Sequence, residues 1–156
     1  NNPQKYTNHR NNNRGNSYND KENPLNPYKM NLEPMEIPDN YLQESEDIMK
    51  TQSKKITTSK LRAFLSLVSK VYNMESVRTE ETLLPESIDT IKMMRIRIVY
   101  EAGRDDSREK NMLNFLDQSH IVNYIKGIGE SRSKFIKFAR YMEALVAYHK
   151  FYGGRD

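Results

Sequence analysis

Residues 135–154, FIKFARYMEALVAYHKFYGG, decide how this chain is built. A glutamate, a histidine and three tyrosines crowd into about four helical turns, which suits either the working end of an enzyme or a helix that holds others together. At 3.6 residues per turn, Phe138, Tyr141, Met142, Leu145, Tyr148, His149 and Tyr152 fall on one stripe at spacings of three and four, and Phe135 extends it. Glu143 and Lys150 lie on the opposite side with Arg140. A Glu–His catalytic pair needs side chains within hydrogen-bond reach, and this register denies it. The stretch reads as a packing helix closed by Gly153 and Gly154. His149 is expected to pack through its ring, and the tyrosines to carry their hydroxyls at a wet edge.

The pattern repeats upstream. ITTSKLRAFLSLVSKVYN, residues 56–73, offers Thr57, Thr58 or Ser59 as an N-cap. Leu61, Phe64, Leu65, Val68, Val71 and Tyr72 form its buried face, and Arg62, Ser66, Ser69, Lys70 and Asn73 its wet one. LPESIDTIKMMRIRIVYEAGRD, residues 84–105, starts at Pro85 with Glu86 and Asp89 near the positive dipole end and stops near Gly103. "RIRIVY" also alternates like a strand, but the length of the pattern and its Pro and Gly bounds favour a helix. Its main apolar arc is Ile88, Ile91, Met94, Ile98, Val99 and Ala102. Met93, Ile96 and Tyr100 lie opposite, so this helix is apolar nearly all round, as a helix central in a bundle, or one shared between a core and an interface, would be. Arg95 projects into the main arc and is expected to meet Glu101, Glu143 or a phosphate. SREKNMLNFLDQ and HIVNYIKGIG read as two shorter helices, and DNYLQESEDIMK as a short acidic one.

Before Pro38 the composition changes. NHRNNNRGNSYND is followed by NPLNPYKMNLEPMEIP, where prolines interrupt any helix and few apolar residues offset ordering entropy. The expectation is an all-α protein: a small helical bundle of about five helices over residues 39–156, preceded by a disordered tail over 1–38.

The 156 residues contain no cysteine, which excludes disulfides and thiolate chemistry. No apolar run approaches the roughly 20 residues of a membrane span, and the opening NNPQKYTNHR does not resemble a secretory leader. A cytoplasmic, soluble protein is expected. Twenty-five basic residues face 21 acidic ones, a net charge of +4 that leans towards an acidic partner. The three histidines are scattered, no phosphate-binding or nucleophile motif is present, and Asp105–Asp106 and Glu80–Glu81 read as solvated charge. No catalytic residue, metal or cofactor is expected. IKGIGESRSKFIKF resembles a helix-hairpin-helix turn: Gly127, Ile128 and Gly129 form the corner, and Arg132, Lys134 and Lys137 supply charge for a phosphate.

Three blocks taken in order, ITTSKLRAFLSLVSKVYN, MRIRIVYEAGRD and FIKFARYMEALVAYHKFYGGRD, resemble the small subunit of type III-A CRISPR effector complexes, the Csm complex. The likeness covers roughly residues 56–156. It implies an all-helical, non-catalytic antiviral-defence subunit that stacks in several copies beside the guide-RNA-holding backbone subunits and the large subunit. It also implies contact with the target RNA backbone through basic residues. Lys60, Arg62, Arg97, Arg104, Lys137 and Arg140 lie within or beside the matching blocks and are the candidates, reading phosphates and not bases. The apolar edges Ile136, Ala147 and Phe151, and Met93, Ile96 and Tyr100, are candidates for the contact between copies. Two alternatives stand beside this reading, a free helix-hairpin-helix DNA binder and a helical protein–protein adaptor.

Overall fold

The computed structural model describes residues 30–155. Six helices follow one another: α1 (Tyr41–Gln52), α2 (Thr58–Glu75), α3 (Pro85–Gly103), α4 (Asn111–Ser119), α5 (Ile121–Ile128) and α6 (Arg132–Phe151). Among the described residues there is no strand, only an isolated antiparallel bridge between Thr82 and Ser131. The protein is all-α, with one helix more than the approximate count from sequence.

Local chemistry sets the boundaries. Thr57 caps α2 by accepting the Lys60 N–H. Pro85 opens α3, where its missing N–H costs nothing. Ser131 caps α6 through the Lys134 N–H. The α4–α5 corner turns at His120, whose backbone is left-handed at φ 56°.

The central helix is α6, not α3. It packs against α1, α2 and α5, with Phe135, Phe138, Tyr141, Met142, Leu145 and His149 buried. Burying a large apolar side chain contributes about 1.5–3 kcal/mol each, so this stripe is the main cohesive element. By contrast, α3 lies on the flank against α2, α4 and α5 and buries only Ser87, Ile91, Met94 and Ile98. Its buried arc is narrower than the sequence pattern. Val99, assigned to it on the wheel, is exposed with Met93, Ile96 and Tyr100, and Arg95 sits at the exposed edge. Arg95 therefore needs no carboxylate, and it forms no ion pair among the described residues.

The expected tail falls, for residues 1–29, outside the described residues. Residues 30–38 run extended along α5. Buried Asn123 donates from its side chain to the carbonyls of Asn31 (2.8 Å) and Glu33 (2.9 Å), and its own carbonyl accepts the Met35 N–H (3.0 Å). Ile37 joins the core. The backbone of Met35 lies so close to Gly127 that any Cβ there would collide with it.

Candidate nucleic-acid interface

The FIKFARYMEALVAYHKFYGG stretch is a clamp. Tyr141 is fully buried, donates to the Ser119 carbonyl at 2.7 Å, and meets Tyr41 and Tyr124 edge to face. Burial pushes its phenol far above the ordinary value. Its hydroxyl is thus internal, against the expected wet edge, whereas Tyr152 reaches Glu46 at 2.8 Å and stacks on Tyr148. His149 is buried, with Nε2 2.6 Å from the Ile56 carbonyl oxygen. A carbonyl only accepts, so Nε2 carries the proton. Gly154 folds back on the imidazole, where a Cβ would overlap the ring, and its N–H donates to the His149 carbonyl at 2.8 Å. Thr58 N–H then donates to Arg155 O at 2.7 Å. The histidine joins the α1–α2 loop to the end of α6, and Glu143 is exposed on the far side.

The hairpin turn is also occupied from within. Gly127 and Ile128 belong to α5, not to the corner. At the start of α6, Glu81 accepts from the hydroxyls of Ser131 and Ser133, and from the Ser133 N–H at 3.4 Å. The Ser131 and Ser133 hydroxyls hold the Glu81 carboxyl below the ordinary range. The chain thus supplies its own anion where a hairpin would take a phosphate. Arg132, counted there as free charge, turns inward and donates from Nε to the Glu75 carbonyl at 2.7 Å. Glu81 is therefore not merely solvated charge, and neither is Asp105. Asp105 is buried and accepts N–H bonds from Ser107 and Met112 at 2.9 Å each, fixing the start of α4.

The six basic candidates divide between two regions. Lys60, half-buried in the first turn of α2, lies near Asp105, and its charge helps hold that carboxyl low. Arg62 is exposed on the same turn. Arg104, at the end of α3, is tied to Glu101 at 2.9 Å and lies 5.9 Å from the Tyr100 ring centre. Arg97 is exposed two turns earlier. Lys137 and Arg140 sit in the first half of α6. Lys137 pairs with Asp39 at 2.8 Å, and Arg140 lines a shallow depression of about 350 Å³ with Tyr72, Ser76, Arg132, Ser133 and Ile136. The antiparallel packing of α2 on α6 sets Lys60 and Arg62 near the start of α2 and Arg140 beside Tyr72 and Ser76 towards its end. Only Arg62, Arg97 and Arg140 are exposed without an ion pair among the described residues. Tyr72 and Ser76 were not anticipated as polar lining. Tyr72 was assigned to the buried face, and only its partial exposure puts it at the rim.

No group of three or more metal-binding side chains occurs among the described residues, and no described helix is long and apolar enough to cross a membrane.

The profile of the Csm2 type III-A family matches residues 36–155. A Mycobacterium tuberculosis protein named CRISPR system Cms protein Csm2 is 32% identical over 124 residues, covering 77% of this chain and 97% of its own. Its namesake in Streptococcus thermophilus is 39% identical over 101 residues, 65% of this chain and 76% of that protein. The namesake in Enterococcus italicus is 31% identical over 100 residues, covering 62% and 68%. The matched region takes in all six helices and the last residues of the extended segment, so this chain belongs to the Csm2 type III-A family, the small subunit of the type III-A CRISPR effector complex.

Proposed function

We propose that the chain is a non-catalytic, cytoplasmic subunit that stacks in several copies along the guide–target duplex and contacts the target RNA backbone without reading its sequence, in antiviral defence. The observation that carries this reading is the family match across the whole bundle. The polar groups that could have suggested chemistry have structural work instead: His149 holds Ile56, Glu81 holds α6, and Asp105 holds α4. The outward row Met93, Ile96 and Tyr100 on α3, each about 60% exposed, is suited to neighbouring protein subunits. RNA contact falls first to Arg62, Arg97 and Arg140. Lys60 is half-buried, and Arg104 and Lys137 would first have to leave Glu101 and Asp39.

The tagged chain, co-expressed with the other genes of its locus, is expected to purify in a multi-subunit complex holding a short RNA of uniform length. Recovery of the chain alone, binding duplex DNA, would sink the reading. Within that complex, replacing Arg62, Arg97 and Arg140 by Gln should weaken target-RNA binding evenly across sequences. The slope of log K against log salt should flatten by roughly 0.7–0.9 for each phosphate no longer neutralised. An unchanged slope removes these residues from the interface.

A further inference from the structure

The lysines around the α5–α6 corner are covered by the chain's own acidic segment. Residues 30–40 carry three carboxylates, Glu33, Glu36 and Asp39, and no cation. They run beside Lys126 in the last turn of α5 and Lys134 and Lys137 at the start of α6. Each of the three lysines is taken. Lys126 donates to the Leu32 carbonyl at 2.7 Å, Lys134 pairs with Glu36 at 2.9 Å, and Lys137 pairs with Asp39 at 2.8 Å. The hydrogen bonds from Lys134 and Lys137 hold the Glu36 and Asp39 carboxyls below their ordinary values.

This cover is held lightly. None of residues 31–36 is buried, and ion pairs so exposed are weak and screened by salt. The remaining bonds run to the side chain and carbonyl of Asn123. Ile37 is buried and anchors the segment, so the residues before it can lift without unfolding the bundle. Beneath them lies a cation row that continues into an open one. Arg140, exposed and without an ion pair among the described residues, follows Lys137 by three positions on α6, and Lys134 precedes Lys137 by the same step. Residues three apart are neighbours on a helix surface. An RNA strand held at Arg140 therefore meets Lys137 next, where the carboxylates of the segment repel it and hold the same cations.

We propose that Lys126, Lys134 and Lys137 form a phosphate-backbone site for RNA, and that the acidic segment ending at Asp39 occupies it in the free chain. RNA and the segment exclude one another, so RNA draws the chain towards the state in which residues 31–36 have lifted. The inference deepens the RNA-contact reading above and rests on it.

The test titrates the isolated full-length chain with a fluorescently labelled oligouridylate at several salt concentrations. Glu36→Gln with Asp39→Asn frees two lysines and, both acids being exposed, should leave the helical circular dichroism unchanged. Binding should tighten about three-fold or more, and the slope of log K against log salt should steepen by about 0.7 for each phosphate gained. Adding Lys134→Gln and Lys137→Gln should cancel the gain. Asp106→Asn with Glu109→Gln, at exposed acids of the α3–α4 loop, makes the same change in net charge and should not steepen the slope. In the unaltered chain, saturating RNA should speed hydrogen exchange of the Met35 amide, which the Asn123 carbonyl otherwise holds. The covered site is overturned by a slope that does not steepen, or by a gain that the loop pair equals or that survives loss of the two lysines. It is also overturned by a Met35 amide that RNA slows or leaves unchanged. Those outcomes leave the stacked-subunit reading standing, because that reading is decided by what purifies with the chain from its locus.

Discussion

The two longest helices, α3 and α6, differ by one residue in length and carry similarly rich apolar patterns, yet they ended in different places. The stripe on α6 is covered by α1, α2 and α5. On α3, one arc is covered and the opposite row faces out. Apolar content sets how much surface a helix can bury; the neighbours that reach it set how much it does bury. The two helices are also held differently. Packed side chains hold α6, whereas the start of α3 is tied by one buried carboxylate: Glu75 accepts from the Leu84 N–H (2.9 Å), the Ser87 hydroxyl (2.7 Å) and Arg78 (2.7 Å).

Truncation should separate the two helices most. Phe138→Ala on α6 removes a fully buried ring and is expected to cost about 3–5 kcal/mol in urea unfolding. Ile96→Ala on α3, at a residue of comparable hydrophobicity, should stay within about 0.5 kcal/mol. Similar costs at both positions would mean that α3 is covered in the free chain.

The tether of α3 should show in pH. Burial pushes the Glu75 carboxyl up, but the bonds from Leu84, Ser87 and Arg78 outweigh it and hold the group below its ordinary value of 4.5. A depressed carboxylate contributes stability that is present above the unfolded value and is lost as the pH falls through the folded one. Amide hydrogen exchange at the start of α3 should therefore accelerate below about pH 4.5 before exchange in α6 does. Glu75→Gln should give the faster α3 exchange already at neutral pH, at a cost of about 1–3 kcal/mol for the donors left unpaired. Simultaneous acceleration of both helices would merge them into one cooperative unit.

The smallest effect is expected at Arg104. Its bond to Glu101 is exposed on the arginine side, so Arg104→Ala should change the melting free energy by no more than about 1 kcal/mol. A larger change would show that the outer side of α3 has a partner in the free chain.

Much of the architecture was legible before the fold. Periodicity located the helices, the Thr57–Ser59 run and Pro85 marked two starts, and the α6 register separated Glu143 from His149. The site was less legible. Glu81 and Asp105 looked like solvated acids because their partners, Ser131, Ser133 and Met112, are brought to them by other helices or by a turn. Residues 30–38 looked like tail because an extended segment bound through its carbonyls to Asn123 has no apolar period to betray it. Proximity to motifs, which singles out the six cations, is a one-dimensional criterion that cannot say which are paired.

The sequence by itself determined the class of fold, the positions of most helices and the chain's family, because these depend on spacing along one segment at a time. Only the tertiary structure decided that α6 is central and α3 peripheral, that the turn at Gly129 already holds its own carboxylate, and which basic residues are already paired. Each of those depends on which side chains from distant segments meet, and a pattern read along one helix contains no information about its neighbour.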